Sequence, residues 1–131
     1  MMKKPLILVV DDEPQLLEIM SAKLAASGFD PVVAHNGKEA ADAALKLQPD
    51  LVLMDIKMPG ETGTDAALVI KQNPATKNIR VAFLSSMTDP WPTTMSDREV
   101  LAKSLGMEDY IDKTADLDVA VAKVREILGR K

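Results

Sequence analysis

The chain contains no cysteine and only one histidine, His35. Without cysteine there can be no disulfides, thiolate metal ligands or cysteine nucleophile, which agrees with a reducing cytoplasm. With a single imidazole and no thiolate, a metal site would depend on oxygen ligands, which suit hard cations. We expect His35 to be a solvated loop residue without a catalytic role.

The chain also lacks an excess of basic residues and a long hydrophobic run. Its formal net charge is -4 and its pI is near 5.0, and its basic residues are spread along the sequence. A nucleic-acid surface needs a basic patch or stripe, so we expect no nucleic-acid contact by this domain. The apolar run Leu6–Val10 stops at Asp11, too early for an export signal or a membrane span. We therefore expect a cytoplasmic location and no membrane association.

What the sequence does contain is an alternation of short aliphatic runs and longer amphipathic stretches. This alternation is typical of strand–helix units around a parallel sheet. A length of 131 residues with 47% hydrophobic content suits one domain, placed at residues 1–131. We predict an α/β fold with five strands, at about Leu6–Val10, Pro31–Ala34, Leu51–Asp55, Val81–Ser85 and Asp109–Ile111.

Helix boundaries are marked by proline, glycine and apolar periodicity. Pro14 suits the opening turn of a first helix, and Gly28 can supply its left-handed stop. A second helix is predicted over about 37–47 and a third over about 64–72. The last helix carries one apolar stripe, made of Leu117, Val121, Val124 and Leu128.

Three acidic residues stand where two of these strands end. Asp11 and Asp12 close the first apolar run, and Asp55 closes the third strand. Parallel strands all end on one edge of their sheet, so these carboxylates can converge there. Three like charges held together need a cation, and carboxylate oxygens favour a hard ion such as Mg²⁺. The pattern predicts a metal-dependent acidic pocket.

Further residues follow the strand ends in a fixed order. Asp55 precedes Met58-Pro59-Gly60, Ser85 ends the fourth strand, and Tyr110 and Lys113 accompany the fifth. With these motifs the chain resembles, over essentially its whole length, the receiver domain of two-component response regulators. The resemblance implies a doubly wound, chemotaxis-regulator-like (βα)5 domain of flavodoxin-like fold. Its parallel sheet would have the order 2-1-3-4-5 and helices on both faces.

The resemblance also implies a chemistry, in which a histidine kinase or phosphotransfer protein passes a phosphoryl group to Asp55. Asp12 would ligate Mg²⁺ directly and Asp11 through water or as a supporting acid. Asp55 and the backbone carbonyl of Lys57 would complete the protein ligands. Phosphoryl transfer asks the protein mainly for positioning and charge neutralisation. Such a domain is a signalling module and not an enzyme, since it catalyses only its own phosphorylation and dephosphorylation.

Three more residues receive roles from the resemblance. Lys113, a cation on a flexible stem, would pair with Asp55 and later with a phosphoryl oxygen. The Ser85 hydroxyl would donate to another phosphoryl oxygen, and Tyr110 would turn inward as a two-state switch. The responding surface would lie around the fourth helix, fifth strand and fifth helix. Its partner would be a downstream effector protein or a missing output domain, with a monomer or a weak phosphorylation-linked dimer as the expected state.

Some positions depart from the family pattern. The family usually has proline after the conserved lysine, with a cis peptide between them, whereas this chain has Thr114. A cis bond to any other residue costs about 3–4 kcal/mol, so we expect a trans Lys113–Thr114 bond or a strained cis one. Ser86 stands where the family prefers alanine, and Lys57 and Met87 flank the pocket. We expect these three to tune the dephosphorylation rate.

The segment 87–94 looks several residues longer than the usual family loop. It holds the only tryptophan of the chain, Trp91, between two prolines. Trp91 could fold back over the start of the fourth helix. Alternatively, it could be an exposed anchor for a partner, since tryptophan is enriched at interface hot spots.

Other interpretations of these residues are open. Singly, Asp11 and Asp12 can be a helix cap, and Tyr110 a half-buried packing aromatic with its hydroxyl in water. A flavodoxin-like electron carrier would need a hydroxyl- and glycine-rich loop where this chain has acids. A haloacid-dehalogenase-like phosphatase would need a cap for which the chain has no length. A pseudo-receiver, which acts as an interaction module independently of phosphorylation, is the alternative that Thr114 keeps open.

Overall fold

A five-stranded parallel sheet forms the centre of the molecule. The computed structural model describes residues 3–58, 61–85, 106–112 and 116–130. The sheet strands are β1 (Leu6–Val10), β2 (Asp30–Ala34), β3 (Leu51–Asp55), β4 (Arg80–Ser85) and β5 (Asp109–Asp112). They lie in the order β2-β1-β3-β4-β5, and all neighbouring pairs are parallel. The predicted fold class and strand order are confirmed.

Helices and one short ribbon connect the strands. The described helices are α1 (Pro14–Ala26), α2 (Gly37–Leu47), α3 (Gly63–Gln72) and the C-terminal helix (Leu117–Leu128). The ribbon pairs Lys57–Met58 with Glu61–Thr62, directly after β3. Residues 86–105, where the fourth helix is predicted, lie outside the described residues. Among the helices that the structure describes, none has the length and apolar character needed to span a membrane.

Both faces of the sheet are covered. One hydrophobic cluster joins strand residues to α2 and α3, with Leu8, Val10, Val52, Met54, Ala40, Ala44, Ala66 and Ile70 among its members. A second cluster joins strand residues to α1 and the C-terminal helix, with Ile7, Val9, Leu51, Leu53, Leu17, Met20, Leu24, Val121 and Val124 among its members. Successive strand residues point to opposite faces, so a sheet covered on both sides needs apolar residues throughout. This explains the unbroken aliphatic runs of the sequence.

The end of α1 depends on Gly28. This residue has a φ of +95°, a left-handed conformation that residues with a Cβ rarely adopt. Around it, the Phe29 N–H donates to the Leu24 carbonyl at 3.0 Å and the Gly28 N–H to the Ala25 carbonyl at 3.3 Å. These two bonds form a Schellman motif, which satisfies carbonyls that the helix leaves open. The glycine stop predicted from the sequence is confirmed.

The start of α2 is capped by local side chains. The Asn36 side chain accepts the Glu39 N–H at 2.9 Å, and Glu39 accepts from the Asn36 amide at 2.9 Å. The His35 ring is exposed and lies 3.0 Å from the same carboxylate, and this hydrogen bond lowers the pKa of Glu39. The solvated position predicted for His35 is confirmed, and its structural role is to close the capping motif.

An ionic network closes the amino edge of the sheet, where β5 begins. Asp109 is only 4% exposed, and its carboxylate accepts from Lys123 at 3.2 Å and from Arg130 at 3.0 Å. It also accepts the Tyr110 N–H at 2.7 Å. Burial alone raises the pKa of Asp109, but these hydrogen bonds outweigh burial and hold that pKa below its ordinary value. The network ties the start of β5 to the C-terminal helix.

We expect Gly28→Ala to destabilise the fold by about 1 kcal/mol, because alanine must adopt a left-handed backbone. An added Cβ would meet no atom within 4 Å, so the cost is conformational and not steric. Gly129→Ala is the matched control, since Gly129 has a φ of -82° that alanine adopts freely. Urea unfolding measures both variants, and equal losses would show that the backbone conformation of Gly28 is not what sets the cost.

The network at Asp109 predicts a pH dependence. A carboxyl whose folded-state pKa is depressed stabilises the protein above its unfolded pKa and loses that contribution as the pH falls through the folded value. The free energy of unfolding of Asp109→Asn should therefore fall less steeply than that of the wild type between about pH 5 and pH 2. Urea unfolding across this range measures the slopes, with exposed Asp30→Asn as the control. A wild-type slope in Asp109→Asn would contradict the assignment.

Candidate functional site

Acidic side chains from two strand ends converge at the carboxyl edge of the sheet. Asp11 directly follows β1, Asp12 is the next residue, and Asp55 is the last residue of β3. β1 and β3 are neighbours in register, with Val10 opposite Met54. One carboxylate oxygen from each of the three aspartates lies within 4.8 Å of the others. The convergence predicted from the strand ends is confirmed.

The three aspartates differ in exposure. Asp11 and Asp55 are buried, whereas Asp12 is exposed. The pocket therefore has two acids set into the protein and one at its mouth. Such an arrangement leaves an open side, where further ligands of a bound cation could enter.

Asp11 is held in place by the start of α1. Its Oδ1 accepts the Glu13 N–H at 2.9 Å, and its own N–H donates to the Ala34 carbonyl at 3.2 Å. The helix-cap interpretation of this residue is therefore correct in part, because Asp11 does satisfy a backbone donor beside α1. It does not account for the approach of Asp55, which comes from a different strand.

Charge repulsion makes this cluster suited to a cation. Two unit charges at about 5 Å repel by roughly 3 kcal/mol at an effective dielectric constant near 20. The three described acids offer carboxylate oxygens, which are ligands that Mg²⁺ prefers when it keeps water or phosphate in its remaining positions. The residues present thus fit a magnesium ion held by Asp11, Asp12 and Asp55, in agreement with the sequence expectation.

The other predicted residues lie near this edge where the structure describes them. Leu84 of β4 pairs with Asp55, so Ser85 stands one residue beyond the level of Asp55 on the neighbouring strand. Lys57 is two residues past Asp55, at the start of the short ribbon. Their predicted roles stay predictions. Lys113, Thr114, Ser86, Met87 and Trp91 fall outside the described residues.

Tyr110 is buried in the core. The residue is 1% exposed and belongs to the hydrophobic cluster that covers the α2 and α3 face of the sheet. The interpretation as a half-buried aromatic with its hydroxyl in water is therefore wrong. Tyr110 stands opposite Phe83 of β4, and both residues belong to this cluster, so the ring is buried among residues of other elements. The predicted role of Tyr110 as a switch stays a prediction.

Sequence reasoning missed two acids of β5. The strand runs one residue further than predicted, to Asp112, which pairs with Ser85 at the carboxyl edge. At the other end of the strand, Asp109 is buried in the ionic network. A signal for Asp109 was available, because a charged residue inside a strand of a two-sided sheet is rarely buried without partners.

A family model described as the response regulator receiver domain matches residues 7–125 of the chain. DNA-binding response regulator MtrA of Mycolicibacterium smegmatis is 36% identical over 124 residues, covering 95% of this chain and 50% of that protein. Transcriptional regulatory protein CpxR of Escherichia coli is 34% identical over 124 residues, covering 95% and 49%. The chain thus spans about half the length of these curated relatives.

Solved structures share the fold. A putative response regulator from Chloroflexus aurantiacus superposes with a TM-score of 0.84 and 26% identity, covering 98% of this chain and all of that one. Chemotaxis response regulator CheY4 of Vibrio cholerae gives a TM-score of 0.82 over 95% of this chain and 99% of that one. At 21% identity the second likeness supports the fold alone.

The acidic cluster predicts opposite effects of Asp12→Asn with and without metal. Without Mg²⁺, loss of one of three neighbouring like charges should raise the thermal unfolding midpoint by a few degrees. With millimolar Mg²⁺, the wild type should gain stability by mass action and Asp12→Asn should gain much less. Calorimetric scans check both effects, with Asp30→Asn as the charge-matched control. An equal Mg²⁺ shift in all three proteins would exclude the cluster as the metal site.

Proposed function

Because this chain belongs to the response regulator receiver domain family of two-component signalling, we propose that Asp55 is its phosphoacceptor. The observation that carries the proposal is the approach of Asp11, Asp12 and Asp55 to within 4.8 Å at one edge of the sheet. Asp55 is the member of the cluster that ends a central strand, so its carboxylate stands on a rigid element. A histidine kinase or phosphotransfer protein is the proposed donor.

The residues at this edge supply what phosphoryl transfer needs. Bound Mg²⁺, held by Asp11, Asp12, Asp55 and the Lys57 carbonyl, would neutralise charge on the transferred group. The Asp55 oxygen acts as nucleophile and forms a bond to phosphorus while the bond between phosphorus and the donor breaks. Asp55 and Asp11 are buried, which favours a fixed orientation of both carboxylates, and Asp12 is exposed. Positioning of this kind is the main catalytic contribution that a protein makes to phosphoryl transfer.

Ser85, Lys113 and Tyr110 form the proposed response to phosphorylation. The Ser85 hydroxyl and the Lys113 ammonium each contact a phosphoryl oxygen, and the position of Ser85 next to the level of Asp55 supports the first contact. Tyr110 then selects its inward position, which its burial on β5 supports. The surface around the predicted fourth helix, β5 and the C-terminal helix carries the change to a partner.

The partner is proposed to be a downstream effector protein or an output domain. MtrA and CpxR are named as DNA-binding and transcriptional regulators, and each is about twice as long as the part matched here. Any DNA contact would belong to such an output domain, since this chain carries a net charge of -4. We propose a cytoplasmic location and a monomer or a weak phosphorylation-linked dimer.

A pseudo-receiver is the second candidate function. Thr114 favours it, because the residue after Lys113 is usually proline in the family and affects how the lysine is held. In that case the same fold would bind a partner without accepting a phosphoryl group. The two candidates differ in one observable, the covalent modification of Asp55.

We expect one phosphoryl group per chain after incubation with Mg²⁺ and acetyl phosphate, measured by intact mass. Asp55→Asn should abolish the addition, and chelation of the metal should reduce it by at least about tenfold, because charge on the phosphoryl oxygens is then left uncompensated. Asp30→Asn, at the opposite end of the sheet, should react as the wild type does. If neither acetyl phosphate nor other small phosphodonors modify the wild type, the pseudo-receiver function takes the place of the phosphoacceptor.

A further inference from the structure

The buried carboxylate of Asp109 faces two parts of the molecule at once. Its Oδ1 accepts the backbone N–H of Tyr110 at 2.7 Å. Its Oδ2 accepts from Lys123 of the C-terminal helix at 3.2 Å and from Arg130 just after that helix at 3.0 Å. One side chain thus joins the backbone of the proposed switch residue to the C-terminal helix.

The alternation of β5 explains why this bridge exists. Tyr110 packs on the face covered by α2 and α3, whereas Ile111 packs on the face covered by α1 and the C-terminal helix. Asp109 shares the face of Ile111, because side chains two apart in a strand point the same way. A single peptide unit therefore separates the Tyr110 ring on one face from the ionic contacts on the other.

The contacts continue to the end of the C-terminal helix. Arg130 also donates to the Glu108 carbonyl at 2.7 Å and to Glu126 at 3.0 Å. The Arg80 guanidinium donates to the carbonyls of Ile127 and Arg130. The last turn of the helix is thereby fastened to the beginnings of β4 and β5, so a shift at β5 reaches the helix through direct bonds.

Stability alone is a weak reason for this arrangement. Asp109 is buried, whereas the side chains of Lys123 and Arg130 are 31% and 32% exposed. The carboxylate therefore loses its hydration while solvent still screens its attraction to the two cations, so the net stabilisation is small. The charged groups do add orientational specificity, because each charge-assisted hydrogen bond fixes the orientation of the side chain or peptide group that it contacts. The described residues after Asp109 in β5 include the buried apolar Ile111, so an apolar residue on this face is compatible with the sheet.

We propose that Asp109 is a positioning residue that couples the Tyr110 switch to the C-terminal helix, an inference that rests on the proposed function. In this proposal, a change in the position of the Tyr110 ring is accompanied by a change in backbone conformation at the start of β5. The bond from the Tyr110 N–H to Asp109 favours the inward position. Lys123 and Arg130 bind the same carboxylate. A change in backbone conformation at the start of β5 therefore shifts the C-terminal helix as well.

The single tyrosine of the chain allows a direct test. Protein labelled with 3-fluorotyrosine has one ¹⁹F resonance, that of Tyr110, whose shift and solvent exposure report the ring position. In Asp109→Asn one amide oxygen can still accept the Tyr110 N–H, but the amide nitrogen in place of Oδ2 cannot accept from Lys123 and Arg130. The outward-to-inward ratio should therefore rise roughly tenfold, the effect of losing charge-assisted hydrogen bonds. Lys123→Met should move the ratio in the same direction by a smaller factor, and it serves as the readout should Asp109→Asn not fold.

The control is Asp118→Asn. Asp118 lies on the same helix but pairs with Lys23 of α1, outside the path to Tyr110. The Asp118→Asn substitution should leave the outward-to-inward ratio of the ¹⁹F resonance unchanged, even if it lowers the stability of the fold. A residue with a merely structural role would lower the unfolding midpoint without moving the ring, so unchanged ratios in both Asp109→Asn and Lys123→Met would overturn the proposal.

Hydrogen exchange of the C-terminal helix completes the test. In the wild type, treatment with acetyl phosphate should change the rates of backbone amide hydrogen exchange over residues 117–128. In Asp109→Asn that change should shrink at least about fivefold although Asp55 is phosphorylated to the same extent. A full helix response in the variant would overturn the coupling. If the wild type shows no phosphoryl group by mass, the proposed function fails, whereas a moved ¹⁹F ratio would still support the link between Asp109 and Tyr110.

Discussion

The central constraint in this structure is the repulsion among three carboxylates. Two neighbouring parallel strands hold these carboxylates close together at their ends. Asp11 and Asp55 cannot move apart, because β1 and β3 are paired in register and covered on both faces. Like charges kept this close favour a cation and any group that brings positive charge. The fold therefore holds like charges together at one edge of the sheet, and binding of a cation there lowers their mutual repulsion.

The two edges of the sheet meet the problem of buried charge in different ways. At the carboxyl edge Asp11, Asp12 and Asp55 each bring a carboxylate oxygen within 4.8 Å of the others, which suits a site that takes up a metal. At the amino edge Lys123 and Arg130 neutralise Asp109, which suits a permanent structural link, a joint between β5 and the C-terminal helix. β5 runs from the joint to the neighbourhood of the site, so it is placed to connect them.

Much of the fold could be predicted because its signals are local. Aliphatic runs marked β1 and β3 with the right limits, and Gly28 marked the end of α1 through its own backbone preference. Strand limits moved by one residue at Asp30, Arg80 and Asp112, because backbone pairing continues past the apolar run whatever the side chain. The burial of Tyr110 could not be predicted, since the ring is enclosed by residues of other elements. Asp109 was missed because its partners lie 14 and 21 residues away.

The sequence by itself determined the family, the strand–helix alternation and the three acids at strand ends, because periodicity and residue order are properties of the chain. Only the tertiary structure decided which acids are buried, how closely they approach and which way Tyr110 faces. It also decided that Asp109 bridges Tyr110 and the C-terminal helix. Distances and burial depend on side chains brought together from separate segments, and packing of the two helical layers on the sheet sets them.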